Sequence, residues 1–249
     1  MVLFDCEVKK VLKIKNQTNE TAELYISDDI VDDVEGGLIR YFQEGDTTGI
    51  EFPQKFREEL KAVEDKTLTV FINSYGGNVF AGVALSNMLS RRKGKTICQV
   101  DGICASIATQ IFFVADECKI PANCYLMIHR PETDILGNAV ELRKAADTLD
   151  TIQQGLETTY QQKAKEGVTA EIITELVNAE SWLTGQEAAK YFNIEVMEPV
   201  KVVNCIGSLD KLKKLKYKNI PSKLTFAENN QRQQQKIKIA LARAKGALI

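Results

Sequence analysis

Between residues 52 and 129 the hydrophobic period switches repeatedly between helix and strand, and this alternation limits the fold more than any other feature. FPQKFREELKAVED (52–65) puts Phe56, Leu60 and Val63 on one helical face. TLTVFINS (67–74) is a β-branched strand ending in Gly76-Gly77, and NVFAGVALSNMLSRRKG (78–94) is a helix closed by Gly94. TICQV (96–100) is a strand, Ser106 to Ala115 a short apolar helix, and CYLMIH (124–129) another strand. Upstream, VLKIKNQT and AELYISDD read as short strands around an NQTNET turn, and residues 31–50 as a loop. Strands alternating with helices predict an α/β fold with a mostly parallel sheet covered by helices.

A different pattern follows. Asn138 and Glu141 have the spacing of a capping box. Behind them Leu142, Ala145, Leu149, Ile152, Leu156 and Tyr160 form one stripe of a helix running to Gly167. A helix over 138–166 spans roughly 40 Å at 1.5 Å per residue, more than a small domain covers. It is expected to project and meet a partner, often another copy of the chain. Thr169 caps a shorter helix, Thr184 and Glu187 form a second capping box, and residues 194–206 return to strand.

Charge separates the two ends. Lys201–Ile249 carries twelve Lys/Arg against Asp210 and Glu228, a surplus of about ten. The formal net charge is −2, so the first 200 residues carry about −12. No overall field therefore holds the protein on nucleic acid. We read 1–200 as the folded domain and 201–249 as a basic C-terminal extension, either a solvated tail or a contact for an acidic partner. The extension includes polar NNQRQQQ and the basic amphipathic KIKIALARAKGALI.

Cys6, Cys98, Cys104, Cys118, Cys124 and Cys205 form no C-x-x-C pair, and the chain has one histidine. A Cys/His metal site has almost nothing to build on, and no metal or organic cofactor is expected. No run approaches 18 apolar residues, so no membrane span is expected, and MVLFDCEVKK has no secretory apolar core. Free thiols without an export signal predict a cytoplasmic location.

Three segments following strands carry the candidate chemistry. Gly76-Gly77 offers exposed N–H groups, or simply a tight turn that needs positive φ. Ser106, after TICQVDGICA, suits a nucleophile beside the Ile107 N–H, or is merely a helix cap. His129 is the usual kind of base for a serine near neutral pH, or a strand-end imidazole satisfied by a carbonyl. The three together say more than any one. A parallel sheet brings the C-terminal ends of its strands to one rim, where they can converge as oxyanion donors, nucleophile and base.

FINSYGGNVFAG, DGICASIAT and LMIHRP, in this order, resemble the proteolytic subunit of the Clp protease (ClpP). AESWLTGQEAAKYFNI resembles the same family's FLSAxEAxxYGL stretch. The resemblance covers roughly residues 20–200. With its polar-ended extension carrying YKNIPSKL, the chain looks most like phage-encoded head maturation (prohead) proteases of that kind. The resemblance implies a ClpP/crotonase-like α/β fold whose long helix is a projecting handle pairing subunits.

It further implies Ser106 as nucleophile and His129 as general base, with Gly76, Gly77 and Ile107 as backbone donors to the oxyanion. The family's third member is an aspartate just before the FLSA-type motif, and here that place is Glu180. Glu171, Glu175, Asp147 and Asp150 are nearby acids that compete for its role. Tyr75 stands where the family commonly has proline, and Cys104 where a smaller residue is usual.

The expected function is ATP-independent serine endopeptidase activity on polypeptide substrates within a homo-oligomeric ring, in phage capsid maturation. Its location is then the host cytoplasm or procapsid, and a capsid or scaffold protein its partner. The alternatives are a proteolytic subunit fed by an AAA+ unfoldase, an acyl-CoA enzyme of the same broad fold, or a non-catalytic assembly scaffold.

Overall fold

The computed structural model describes residues 12–31, 54–199 and 217–221. The chain divides into two compact units, Met1–Cys205 and Ile206–Ile249. Residues 32–50, the strand expected past 199 and most of the basic extension lie outside the described residues.

Strand β1 (Leu12–Lys15) pairs antiparallel with β2 (Thr21–Ile30). Helix α1 (Gln54–Ala62), β3 (Thr67–Gly77), α2 (Val79–Ser90), β4 (Thr96–Ala105) and α3 (Ala108–Phe113) follow in the expected alternation. Then come β5 (Glu117–Pro121), β6 (Tyr125–Ile128), the long α4 (Ala139–Gln162), α5 (Ala170–Asn178), β7 (Ser181–Thr184), α6 (Gly185–Tyr191) and β8 (Glu195–Met197). The sheet order is β1-β2-β3-β4-β5-β8, with β6 pairing β4 and β7. Only β1–β2 and β6–β7 are antiparallel among these pairs. The predicted α/β class and mostly parallel sheet are what the structure shows.

Leu68, Val70 and Ile72 of β3 are fully buried, whereas the residues between them are half-buried. One face of the sheet therefore carries the core, beneath α2 and α3, through Leu85, Leu89, Ile111 and Phe112. Fully burying each such side chain contributes about 1.5–3 kcal/mol.

Strand β3 ends in the glycine pair, as expected, and Asp29 and Ile30 of β2 pair there with Gly76 and Gly77. A Cβ on Gly77 would stand 2.1 Å from the Ile30 carbonyl oxygen, so only glycine lets the two strands approach there. Helix α4 ends at Gln162 rather than near Gly167, since the backbone beyond it finds other partners. Lys165 N–H donates to Tyr191 O at 2.9 Å and Asn193 N–H to Lys163 O at 2.7 Å.

The apolar stripe of α4 is also divided. Tyr160 is 2% exposed and Leu156 packs against the core, but Leu142 is 45% and Val140 72% exposed. Phe113 explains the division. Its ring lies 5.6 Å from Tyr160 and 4.7 Å from Phe192, clamping only the C-terminal half of the helix.

Cys98, Cys104, Cys118 and Cys124 are buried free thiols. Burial pushes the Cys98 and Cys104 thiols well up and Cys118 to about 11. The thiolate is the reactive form, so native protein at pH 8 should leave these three cysteines unmodified by iodoacetamide until denaturant is added. Peptide mapping that finds them alkylated as fast as free cysteine would contradict this packing.

Candidate active site

Strand β4 pairs with β5 over Ile97–Gln99, then with β6 over Ile103–Ala105. The second pairing carries Ser106, the next residue, to the end of β6, where its N–H donates to Met127 O at 2.9 Å. Ser106 sits at φ +54°, a left-handed conformation that costs a non-glycine residue about 1–3 kcal/mol. The hydroxyl lies 2.7 Å from His129 Nε2. Ser106 is not a helix cap: α3 starts at Ala108, its cap position is Ile107, and no side chain caps it.

His129 follows β6 directly. Strand β7 runs antiparallel to β6 with Ile128 opposite Ser181. His129 and Glu180 flank this last pair, one just after β6 and the other just before β7. Glu180 also has a left-handed backbone, φ +50°, and is buried, accepting a hydrogen bond from Trp182 Nε1 at 3.2 Å. Among the competing acids, Glu171, Glu175, Asp147 and Asp150 are exposed, and Asp150 pairs with Arg130 at 2.9 Å. Glu180 is thus the buried one of these five acids, a difference that local sequence does not show.

Gly76 and Gly77 have φ of +102° and +142°. A Cβ on Gly76 would lie 2.7 Å from Ser106 Cβ and 3.1 Å from its Oγ, so the absent side chain makes room for the hydroxyl. The Gly76 N–H itself donates to Ser74 Oγ at 3.1 Å. Ile107 lies against α2, where a Cβ on Gly82 would meet its Cγ1 at 2.3 Å.

The structure thus brings Gly76, Ser106 and His129 together and sets Glu180 just before β7, the strand that pairs with β6. Sequence reasoning missed Asn73, whose Oδ1 accepts from Ile103 N–H at 3.2 Å where the β3–β4 register shifts. It also missed Thr109, which binds the Ser106 carbonyl. Polar residues inside apolar runs were the available signal for both.

A groove of about 640 Å³ opens beside Gly77 and Pro131. Val79, Ile135 and Ile152 give it apolar walls, with Glu132 and Lys144 among its charged residues. Among the described residues no cluster of His, Cys, Asp and Glu is arranged to hold a metal, and no helix is long and apolar enough to cross a membrane.

The family model described as Clp protease matches residues 58–198. An ATP-dependent Clp protease proteolytic subunit 3 of Streptomyces coelicolor is 27% identical over 135 residues, 53% of this chain and 61% of its own length. Proteolytic subunit 3 of Rhodococcus jostii is 27% identical over the same share of this chain and 66% of its own. The chain thus spans less than two thirds of the length of these curated relatives. The solved structure of a ClpP1 point mutant from Listeria monocytogenes superposes with a TM-score of 0.55 at 21% identity. It covers 71% of this chain and 91% of its own, and the likeness is one of fold.

Gly76→Ala should force Ser106 away from His129 and cost more than about 1 kcal/mol of stability, since alanine also resists the positive φ. A crystal structure of the variant that keeps the 2.7 Å Oγ–Nε2 contact would refute this account of the glycine.

Proposed function

Since the chain belongs to the Clp protease family, we propose that it is a ClpP-type serine endopeptidase acting on polypeptides. The reading is carried by the 2.7 Å contact between Ser106 Oγ and His129 Nε2, on a serine held in a strained backbone conformation. Ser106 Oγ attacks the scissile carbonyl carbon as its proton passes to His129 Nε2. Backbone N–H groups of Gly77 and Ile107 face the oxyanion. Gly76, whose N–H is held by Ser74, serves by lacking a side chain. The C–N bond breaks as Nε2 returns the proton to the leaving amine, leaving an acyl-Ser106. Water then adds to the acyl carbon as His129 Nε2 takes its proton, and the C–Oγ bond breaks as Nε2 returns that proton to Ser106 Oγ, releasing the acid and free Ser106. Glu180 accepts from the other ring nitrogen, fixing the tautomer and stabilising the imidazolium.

The groove beside Gly77 suits an extended polypeptide with apolar side chains. The exposed apolar residues of the first half of α4 suit pairing of subunits into a homo-oligomeric ring. The narrower assignment to phage head maturation, with the basic extension 201–249 meeting an acidic capsid or scaffold protein, rests on the sequence resemblance. A second reading is favoured by the relatives' names, which mark them as subunits of ATP-dependent proteases. In it, this chain supplies hydrolysis, which itself needs no ATP, and a partner unfoldase delivers the substrate.

Fluorophosphonate labelling read by intact mass tests the reading. Wild type should gain one adduct and Ser106→Ala none, with peptide turnover falling on the order of 10⁴-fold or more and melting unchanged. Glu180→Gln should also lose orders of magnitude in turnover, and Glu180→Asp should keep part of it. Equal labelling of wild type and Ser106→Ala would end the proposal.

For assembly, Val140→Asp combined with Leu142→Asp should reduce the particle mass in light scattering. An unchanged mass would remove α4 from the subunit contact.

A further inference from the structure

Helix α4 touches the nucleophile turn through a short chain of buried hydroxyls. Thr109 Oγ1 lies 2.6 Å from the Ser106 carbonyl oxygen and 2.8 Å from Tyr160 Oη. Thr109 is fully buried and Tyr160 is 2% exposed, so water does not compete for either group. The direction of the bonds follows from counting hydrogens. A carbonyl only accepts, so the single hydroxyl hydrogen of Thr109 goes to Ser106 O. The Tyr160 hydrogen must then fill the second contact. Burial pushes the Tyr160 phenol up to about 12, so that hydrogen is present at neutral pH. The order is Tyr160 O–H to Thr109 O–H to Ser106 C=O.

The end point matters because Ser106 is strained. Its N–H is held by Met127 O at 2.9 Å and its carbonyl also accepts from Thr109 N–H at 3.0 Å. With both backbone groups tied, the φ of +54° persists and the hydroxyl stays on His129. A second buried contact, Gln110 Nε2 donating to Leu156 O at 3.1 Å, fixes the same turn to the same helix.

We propose that Tyr160 and Thr109 are positioning residues, a hydroxyl relay through which helix α4 sets the orientation of Ser106 toward His129. The inference rests on the serine-hydrolase reading above. Hydrogen bonds in series polarise one another in a dry interior, so removing the first link weakens the last.

The test is the second-order rate of fluorophosphonate labelling of Ser106 in the full chain, with melting measured in parallel. Tyr160→Phe and Thr109→Val should each slow labelling about tenfold, or about 1.4 kcal/mol. Both should lower kcat for a peptide with KM unchanged. Thr109→Ser keeps both hydrogen bonds and should stay within about twofold of wild type. In the Thr109→Val background, Tyr160→Phe should add nothing further, because the link is already broken. Variants that melt lower but label at the wild-type rate would overturn the relay, as would fully additive losses. Should Thr109→Val not fold, Tyr160→Phe against wild type decides. Labelling of wild type but not of Ser106→Ala keeps the hydrolase reading whatever the relay variants do. If wild type takes no label, that reading falls and takes the relay with it.

Discussion

Strand β4 is bonded to β3 along one edge and changes partner along the other, from β5 at Ile97–Gln99 to β6 at Ile103–Ala105. Parallel strands carry their C-terminal ends to one rim, and the change of partner places the end of β6 next to the end of β4 there. The antiparallel β6–β7 ladder then ends at Ile128 and Ser181, so that His129 and Glu180 are the residues just beyond its last pair. Two backbone registers thus place Ser106, His129 and Glu180 before any side chain of the three makes a contact. A one-residue slip in either ladder would turn the facing side chains to opposite sides of the sheet.

The same rim leaves no space for a side chain on β3. Residue 76 stands against Ser106, and residue 77 against the Ile30 backbone. Positive φ at both positions compounds the restriction, and two consecutive glycines are the plain solution. Asn73 closes the irregularity just upstream by lending a side-chain oxygen to the Ile103 N–H, so the backbone of β4 stays satisfied where the ladder skips.

Signals that depend on a few neighbouring residues were legible in the sequence. Asn138 accepts from Glu141 N–H, Thr184 from Glu187 N–H, and Thr169 from Ile172 N–H, each a cap read directly from spacing. The four-residue β7 was missed because Ser181–Thr184 extends only through its partner β6, which lies far away in sequence. Strand β5, which falls between the helix expected to Ala115 and the strand expected from Cys124, likewise extends only through its partners β4 and β8. No propensity foretells the left-handed backbone of Ser106 or Glu180; tertiary bonds impose it. The meeting of Ser106 with His129 was nevertheless foreseeable, because three strand-end segments in one order restrict each other. Glu180 had only the family pattern to point to it, since what sets it apart from Glu171 and Glu175 in the fold is burial.

Both members of the serine–histidine pair reach the same half of α4. Thr109 contacts Tyr160, and Arg130, the residue after His129, donates through Nε to Gln153 Oε1 at 3.0 Å. The accompanying Arg130–Asp150 pair is half-exposed and worth about 0–1 kcal/mol at most. Gln153 is buried and bonds in turn to Glu157, which also accepts from Thr174 Oγ1 at 2.6 Å. Gln153 and Glu157 are both buried and satisfied, so removing one leaves the other short of a partner at about 1–3 kcal/mol. The exposed first half of the helix has no such cost of displacement within the chain. The helix therefore joins an exposed half to a half that is bonded to the residues beside Ser106 and His129.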